Sequence, residues 1–111
     1  EITVEIADTP ESQFQGLSGR KILCADCGML FVFSDKKERT FVMRNMNFPL
    51  DIIFIDGILI VKIYKNLPPA SADSNKLYNS GQPVNLVLEV NGGFTDRYNI
   101  KERERIDFSL K

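Results

Sequence analysis

Apolar and polar residues alternate at the start of the chain. In "ITVEIA", Ile2, Val4 and Ile6 fall on one side, which predicts a half-buried strand over residues 2–7. "DTPESQFQGLSGR" follows with a helix start, Thr9 as N-cap and Pro10 at the first helical position. Phe14 and Leu17 would share its buried face and Gly19 would end it, giving a helix of about residues 10–18. From Gly28 the period changes. "GMLFVF" (28–33) is apolar on both faces and suits a central strand, "SDKKER" reads as a turn, and "RTFVMR" (39–44) begins a further strand. "NMNFPL" is a connection because Pro49 cannot donate to a ladder. "DIIFI" (51–55) and "ILIVKIY" (58–64) are strands joined at Asp56-Gly57, a strong short-range hairpin signal.

Residues 66–83, "NLPPASADSNKLYNSGQP", have no period and few apolar residues. A loop of that length in a small domain is usually functional or mobile. "VNLVLEV" then turns Val84, Leu86, Leu88 and Val90 inward, "NGG" makes a turn, "FTDRYN" holds one helical turn, and "RIDFSL" alternates Ile106, Phe108 and Leu110. Short strands with brief connections predict a mainly β fold, a single-domain antiparallel sandwich or barrel-like architecture over residues 1–111 with one or two short helices.

Composition narrows the functions. The 111 residues carry 14 basic and 15 acidic side chains, a net charge of -1, so nothing resembles the basic footprint of a nucleic-acid binder. There is no histidine, which removes Ser-His and Cys-His nucleophile pairs and every histidine metal site. No apolar run approaches the roughly 20 residues of a membrane span. The abrupt start "EITVEIAD" reads as a processed or trimmed domain, with a possible anchor upstream.

Several side chains could carry chemistry. Cys24 and Cys27 in "CADC" supply two ligands where structural zinc takes four, and Cys27 runs into a strand rather than a helix, unlike a thioredoxin-type pair. They are a local disulfide or two free thiols, and a disulfide would fit an extracytoplasmic home. If 39–44 and 51–55 form a hairpin, Arg44 and Asp51 end up nearly opposite one another. There they would be a cross-strand ion pair, or else a pocket presenting Arg44 to an anion. Asp51 and Asp56 sit at opposite ends of one strand, roughly 16 Å apart at the usual rise, too far for a glycosidase dyad. Met29, Met43 and Met46 are core filling rather than a copper site, and "KERER" is a solvated turn. No metal or cofactor is expected.

Nearly the whole chain resembles the domain of unknown function 192 (DUF192) family, also called uncharacterised protein family 0127. The matching pieces are "ADTPESQFQGLSGR", "GMLFVF", "FVMRNMNFPLDIIFID", "NLPP" and, more weakly, "LVLEVNGGFTDRYNI". "CADC" falls where relatives more often have acidic or polar residues. The resemblance implies a compact, mainly β domain, secreted or membrane-anchored, with no agreed activity, cofactor or catalytic residue. The expectation is therefore a monomeric, non-enzymatic binding or accessory domain of the envelope. Its ligand-binding candidates are Arg44, Asn45 and Asp51 with Pro68 and Tyr78 of the long loop, and its partner is a small molecule, glycan or envelope protein. The alternative is a hydrolase or lyase using Asp51 as base and Arg44 as electrostatic stabiliser.

Overall fold

Burial explains the arrangement of the strands. In "LDIIFI" every residue from Leu50 to Ile55 is buried, so this segment needs strand neighbours on both edges and cover on both faces. A computed structural model describes residues 2–107 and gives it both. The elements are β1 (Thr3–Ala7), α1 (Pro10–Gln15), β2 (Cys27–Lys37), β3 (Thr40–Phe41), β4 (Leu50–Asp56), β5 (Leu59–Leu67), β6 (Tyr78–Asn79), β7 (Val84–Asn91) and α2 (Phe94–Arg97). Five of them form one sheet in the order β1-β2-β7-β4-β5, while β3 and β6 make a small second sheet.

The mainly β fold with two short helices agrees with the sequence expectation. The sheet has two edges and does not close into a barrel. One pairing differs from an all-antiparallel plan, since β1 runs parallel to β2. Parallel neighbours need a long crossover, and residues 8–26, with α1 inside them, supply it.

Two apolar layers sandwich the large sheet. On one face Met29, Phe31, Ile52, Phe54 and Val87 pack with Leu17, Met43, Met46 and Tyr78. The other face joins Leu30, Ile53, Ile55, Leu88 and Val90 to Phe94 of α2. All three methionines are buried in the first layer, the filling role their spacing implied.

Four local expectations need correction. Helix α1 stops at Gln15 because Gly16 turns the chain at φ 51. Leu17 is buried but leaves the helical register, so Phe14 faces outward at 92% exposure. The N-terminal end follows the sequence signal, with Thr9 Oγ1 accepting from Ser12 N at 3.1 Å. Strand β2 continues to Lys37 where a turn was expected, and the strand expected over 39–44 shrinks to Thr40–Phe41. Its partner is β6, inside the long segment that looked aperiodic. The last expected strand is represented by a bridge between Leu59 and Arg105, and Phe108 and Leu110 lie outside the described residues.

Candidate functional site

The sequence-predicted residues do not converge. Arg44 and Asp51 are not hairpin neighbours: β4 pairs with β5 and β7, and Arg44 forms a parallel bridge to Ala70. Asp51 is fully buried on the face of the sheet that carries α2. Its Oδ1 accepts from Asn66 N at 2.8 Å and Gly93 N at 3.1 Å. Its Oδ2 accepts from Thr95 N at 2.9 Å and Thr95 Oγ1 at 2.7 Å. Backbone amides, which the sequence pattern does not display, replace Arg44 as its partners. The carboxylate thereby clamps the end of β5 and the start of α2 onto β4, leaving no acceptor edge for a substrate proton. Asp56 faces Lys36 instead, 2.6 Å from its Nζ.

Tyr78 is core, packed edge-on to Tyr64 with ring centroids 5.3 Å apart, and Pro68 is exposed. Neither lines the cavity described below. Cys24 and Cys27 form the disulfide. Asn91 of β7 holds that loop by donating from Nδ2 to Leu23 O at 2.9 Å and Cys24 O at 3.1 Å. Among the described residues no group of three His, Cys, Asp or Glu side chains could hold a metal ion. No helix among them is long and apolar enough to cross a membrane.

Arg44 and Asn45 do share a site, with residues that sequence reasoning assigned elsewhere. A cavity of about 600 Å³ opens between the first face of the sheet, α1 with its following turn, and residues 38–46. Its walls include Leu17, Phe31, Phe33, Phe41 and Met46, with Phe14 exposed at the mouth and Arg39, Arg44 and Asn45 around it. That size and apolar lining suit a small-molecule site. The mouth is tied together by one backbone and one side-chain hydrogen bond. Gly19 N donates to Asn45 O at 2.9 Å, with Asn45 in the left-handed region at φ 64, a conformation asparagine tolerates better than most residues. Asn47 Nδ2 donates to Arg20 O at 2.8 Å.

Glu89 also lines this cavity. It sits on β7, the central strand, directly between Met29 of β2 and Ile52 of β4, and is only 4% exposed. No side chain or amide among the described residues hydrogen-bonds its carboxyl, and burial pushes the group up to about 8. The alternation Val84, Leu86, Leu88, Val90 had placed Glu89 outward. However, β7 is covered on both faces: Leu88 and Val90 belong to the face that carries α2, while Val87 and Glu89 belong to the face on which the cavity opens. A lone charge within an otherwise apolar "LVLEV" was the available signal.

The two arginines at the cavity are not equivalent. Arg39 is already engaged: its Nη2 donates to Asp35 Oδ1 at 2.7 Å, its Nε to Val84 O at 3.2 Å, and its guanidinium lies 3.8 Å from the Phe33 ring centroid. Arg44 reaches only Ser74 O, at 3.2 Å, and has no carboxylate partner among the described residues. The cavity therefore combines an unpaired carboxyl on the sheet, aromatic walls and one uncompensated cation at its mouth.

Two solved structures share this architecture. A Sinorhizobium meliloti protein provisionally named a transcription regulator is 35% identical, over 94% of this chain and 79% of that one, with a TM-score of 0.87. A Novosphingobium aromaticivorans protein of unknown function is 32% identical, over 96% of this chain and 75% of that one, with a TM-score of 0.88. No curated protein matches the chain. The sequence profile of the DUF192 family, described as Uncharacterized ACR, matches residues 1–108. The chain belongs to the DUF192 family.

Proposed function

We propose that this protein is a non-enzymatic small-molecule-binding module whose site is the Glu89 cavity. One observation carries the reading: the carboxyl of Glu89, a residue only 4% exposed, faces a roomy cavity with no partner from the described residues. Burying a polar group unpaired costs about 1–3 kcal/mol. A fold keeps such a group where a ligand completes it. The exposed Phe14 at the mouth and the uncompensated Arg44 add two further contacts awaiting an occupant.

The rival reading, hydrolysis or elimination through Asp51, loses its base because that carboxylate is enclosed by amides of the fold. Titration near neutrality would suit Glu89 to proton transfer. No nucleophile or second titratable group lies within hydrogen-bond reach of it among the described residues, so binding is the better supported use. Regulation of transcription, the activity in the provisional name of the Sinorhizobium relative, finds little support in a chain of net charge -1. The Cys24–Cys27 disulfide supports an envelope placement, and cell fractionation with thiol alkylation tests that part.

A small-molecule library screened by NMR against wild type and Glu89→Gln tests the binding reading. Hits should shift the Phe31, Phe41 and Met46 resonances of the wild type and weaken with the variant. Hits that cluster elsewhere, or that ignore the substitution, would refute the site.

A further inference from the structure

Taking the Glu89 cavity as the binding site, we propose that its ligand is a bipolar small molecule. A protonated amine docks on the Glu89 carboxyl, an apolar chain lies against the aromatic walls, and an acidic group meets Arg44 at the mouth. This inference rests on the binding reading and adds the chemical class of the ligand.

Each part of the cavity selects one part of the ligand. Among the described residues Glu89 has neither a hydrogen-bond donor nor a cation beside it, and only burial shifts its titration. An ammonium group supplies both, and charge-assisted hydrogen bonds are about twice as strong as neutral ones. A hydroxyl or amide would supply the bond without the charge. An acid could accept only from the protonated carboxyl, and would add a second negative charge once Glu89 ionised. The walls also suit a cation, because Phe31, Phe33 and Phe41 all line the cavity and aromatic faces attract ammonium groups. Phe33 already carries one cation, the Arg39 guanidinium.

The mouth selects the opposite sign. Arg39 is compensated by Asp35, whereas among the described residues Arg44 has only a carbonyl. A simple amine would have to pass Arg44 with only the exposed Glu38 to offset the repulsion, whereas an acidic tail turns Arg44 into a second anchor. Leu17 and Met46 line the space along with the aromatic rings, so the intervening atoms should be apolar.

Docking moves a proton. In the free protein at pH 7 the Glu89 carboxyl, pushed up to about 8, holds its proton about nine-tenths of the time. When an ammonium group arrives, the carboxyl ionises and releases that proton to solvent, and the resulting carboxylate accepts from the ammonium. The other charged groups lining the cavity are Glu38, Arg39 and Arg44, all on residues 38–46. Met29 and Ile52 beside Glu89 on β2 and β4, and Gln13, Phe14 and Gln15 from α1, add none.

Calorimetric titration with linear amino acids carrying terminal amine and carboxylate groups, for example 6-aminohexanoate, tests the proposal, with hexylamine, hexanoate and hexanol as controls. Measurements at pH 7 in phosphate and in Tris read the proton. The expected result is 6-aminohexanoate binding at least tenfold tighter than each control, with about 0.9 proton released on binding. Glu89→Gln should weaken both amine probes roughly 10- to 100-fold. Arg44→Ala should erase the preference for 6-aminohexanoate over hexylamine while retaining hexylamine, and urea unfolding verifies that both variants fold. Hexanol or hexanoate equalling the amines, or amine binding without proton release, overturns the proposal. If that binding still depends on Glu89, the cavity reading survives. No Glu89-dependent binding by any probe overturns both.

Discussion

An unpaired buried carboxyl should make the folded protein less stable as pH rises, and Glu89 is the place to measure it. Its carboxyl is raised from 4.5 to about 8. At roughly 1.4 kcal/mol per pH unit the full difference is worth about 5 kcal/mol, an upper bound because cavity water relieves part of the burial. The direction follows from proton counting. Above the unfolded value the unfolded chain gives up this proton while the folded chain keeps it, so stability falls as pH climbs from 4.5 towards 8 and levels off beyond. Against a typical total of about 5–15 kcal/mol, that loss is large. Glu89→Gln keeps the shape and removes the ionisation. Urea unfolding of both proteins at intervals from pH 4.5 to 9 gives a difference curve in which other carboxylates cancel. Those include Glu5, held low by its hydrogen bond to Arg20, and Asp35, held low by Arg39. The variant should match the wild type within a constant offset at pH 4.5 and gain several kcal/mol by pH 8. A difference curve flat to within about 1 kcal/mol would refute the account of Glu89.

Other perturbations have distinct signatures. Asp51→Asn turns an NH₂ towards amides that now donate to a carboxylate, which should cost about 2–4 kcal/mol and lower the thermal midpoint by more than roughly 10 °C. A midpoint within a few degrees of wild type would show that the clamp is dispensable. Replacing Cys24 and Cys27 by serine opens a loop of sequence separation 3, worth about 2 kcal/mol in chain entropy. Chemical denaturation should show that loss while ligand titrations stay unchanged, because neither cysteine lines the cavity. Arg39→Lys keeps the charge but loses the planar stack on Phe33 and the fork to Asp35 and Val84. It should cost about 1–2 kcal/mol by the same denaturation measurement.

Most of the fold could be read from local pattern, and the site could not, for a definite reason. Period and turn chemistry located β1, the start of α1, β4, β5 and β7 because strands and caps answer to neighbours within a few residues. The parallel pairing of β1 with β2 depends on a crossover whose geometry no short pattern encodes. Residues 39–44 look like a strand, yet only Thr40 and Phe41 form one, paired with Tyr78 and Asn79 in the polar segment, and Arg44 makes a single bridge to Ala70. Arg44 and Asn45 line one cavity, but it lies against α1 rather than the long loop, and Asp51, Pro68 and Tyr78 are not part of it. Asp51 was expected to need a charged side chain, whereas amides of Asn66, Gly93 and Thr95 satisfy it.

The pair Asp51 and Glu89 shows why residue type alone cannot separate a structural acid from a functional one. They stand on adjacent strands: Asp51 is opposite Val90, and Ile52 next to it is opposite Glu89. Each is buried in an apolar run. One residue's offset in register sends them to opposite faces, and the faces differ in what covers them. Asp51 meets the turn before α2, where free amides are plentiful. Glu89 meets an open cavity. The same exchange of carboxylate for amide should therefore act with opposite sign above neutral pH, destabilising at Asp51 and stabilising at Glu89. A group whose removal strengthens the fold is retained for something other than folding.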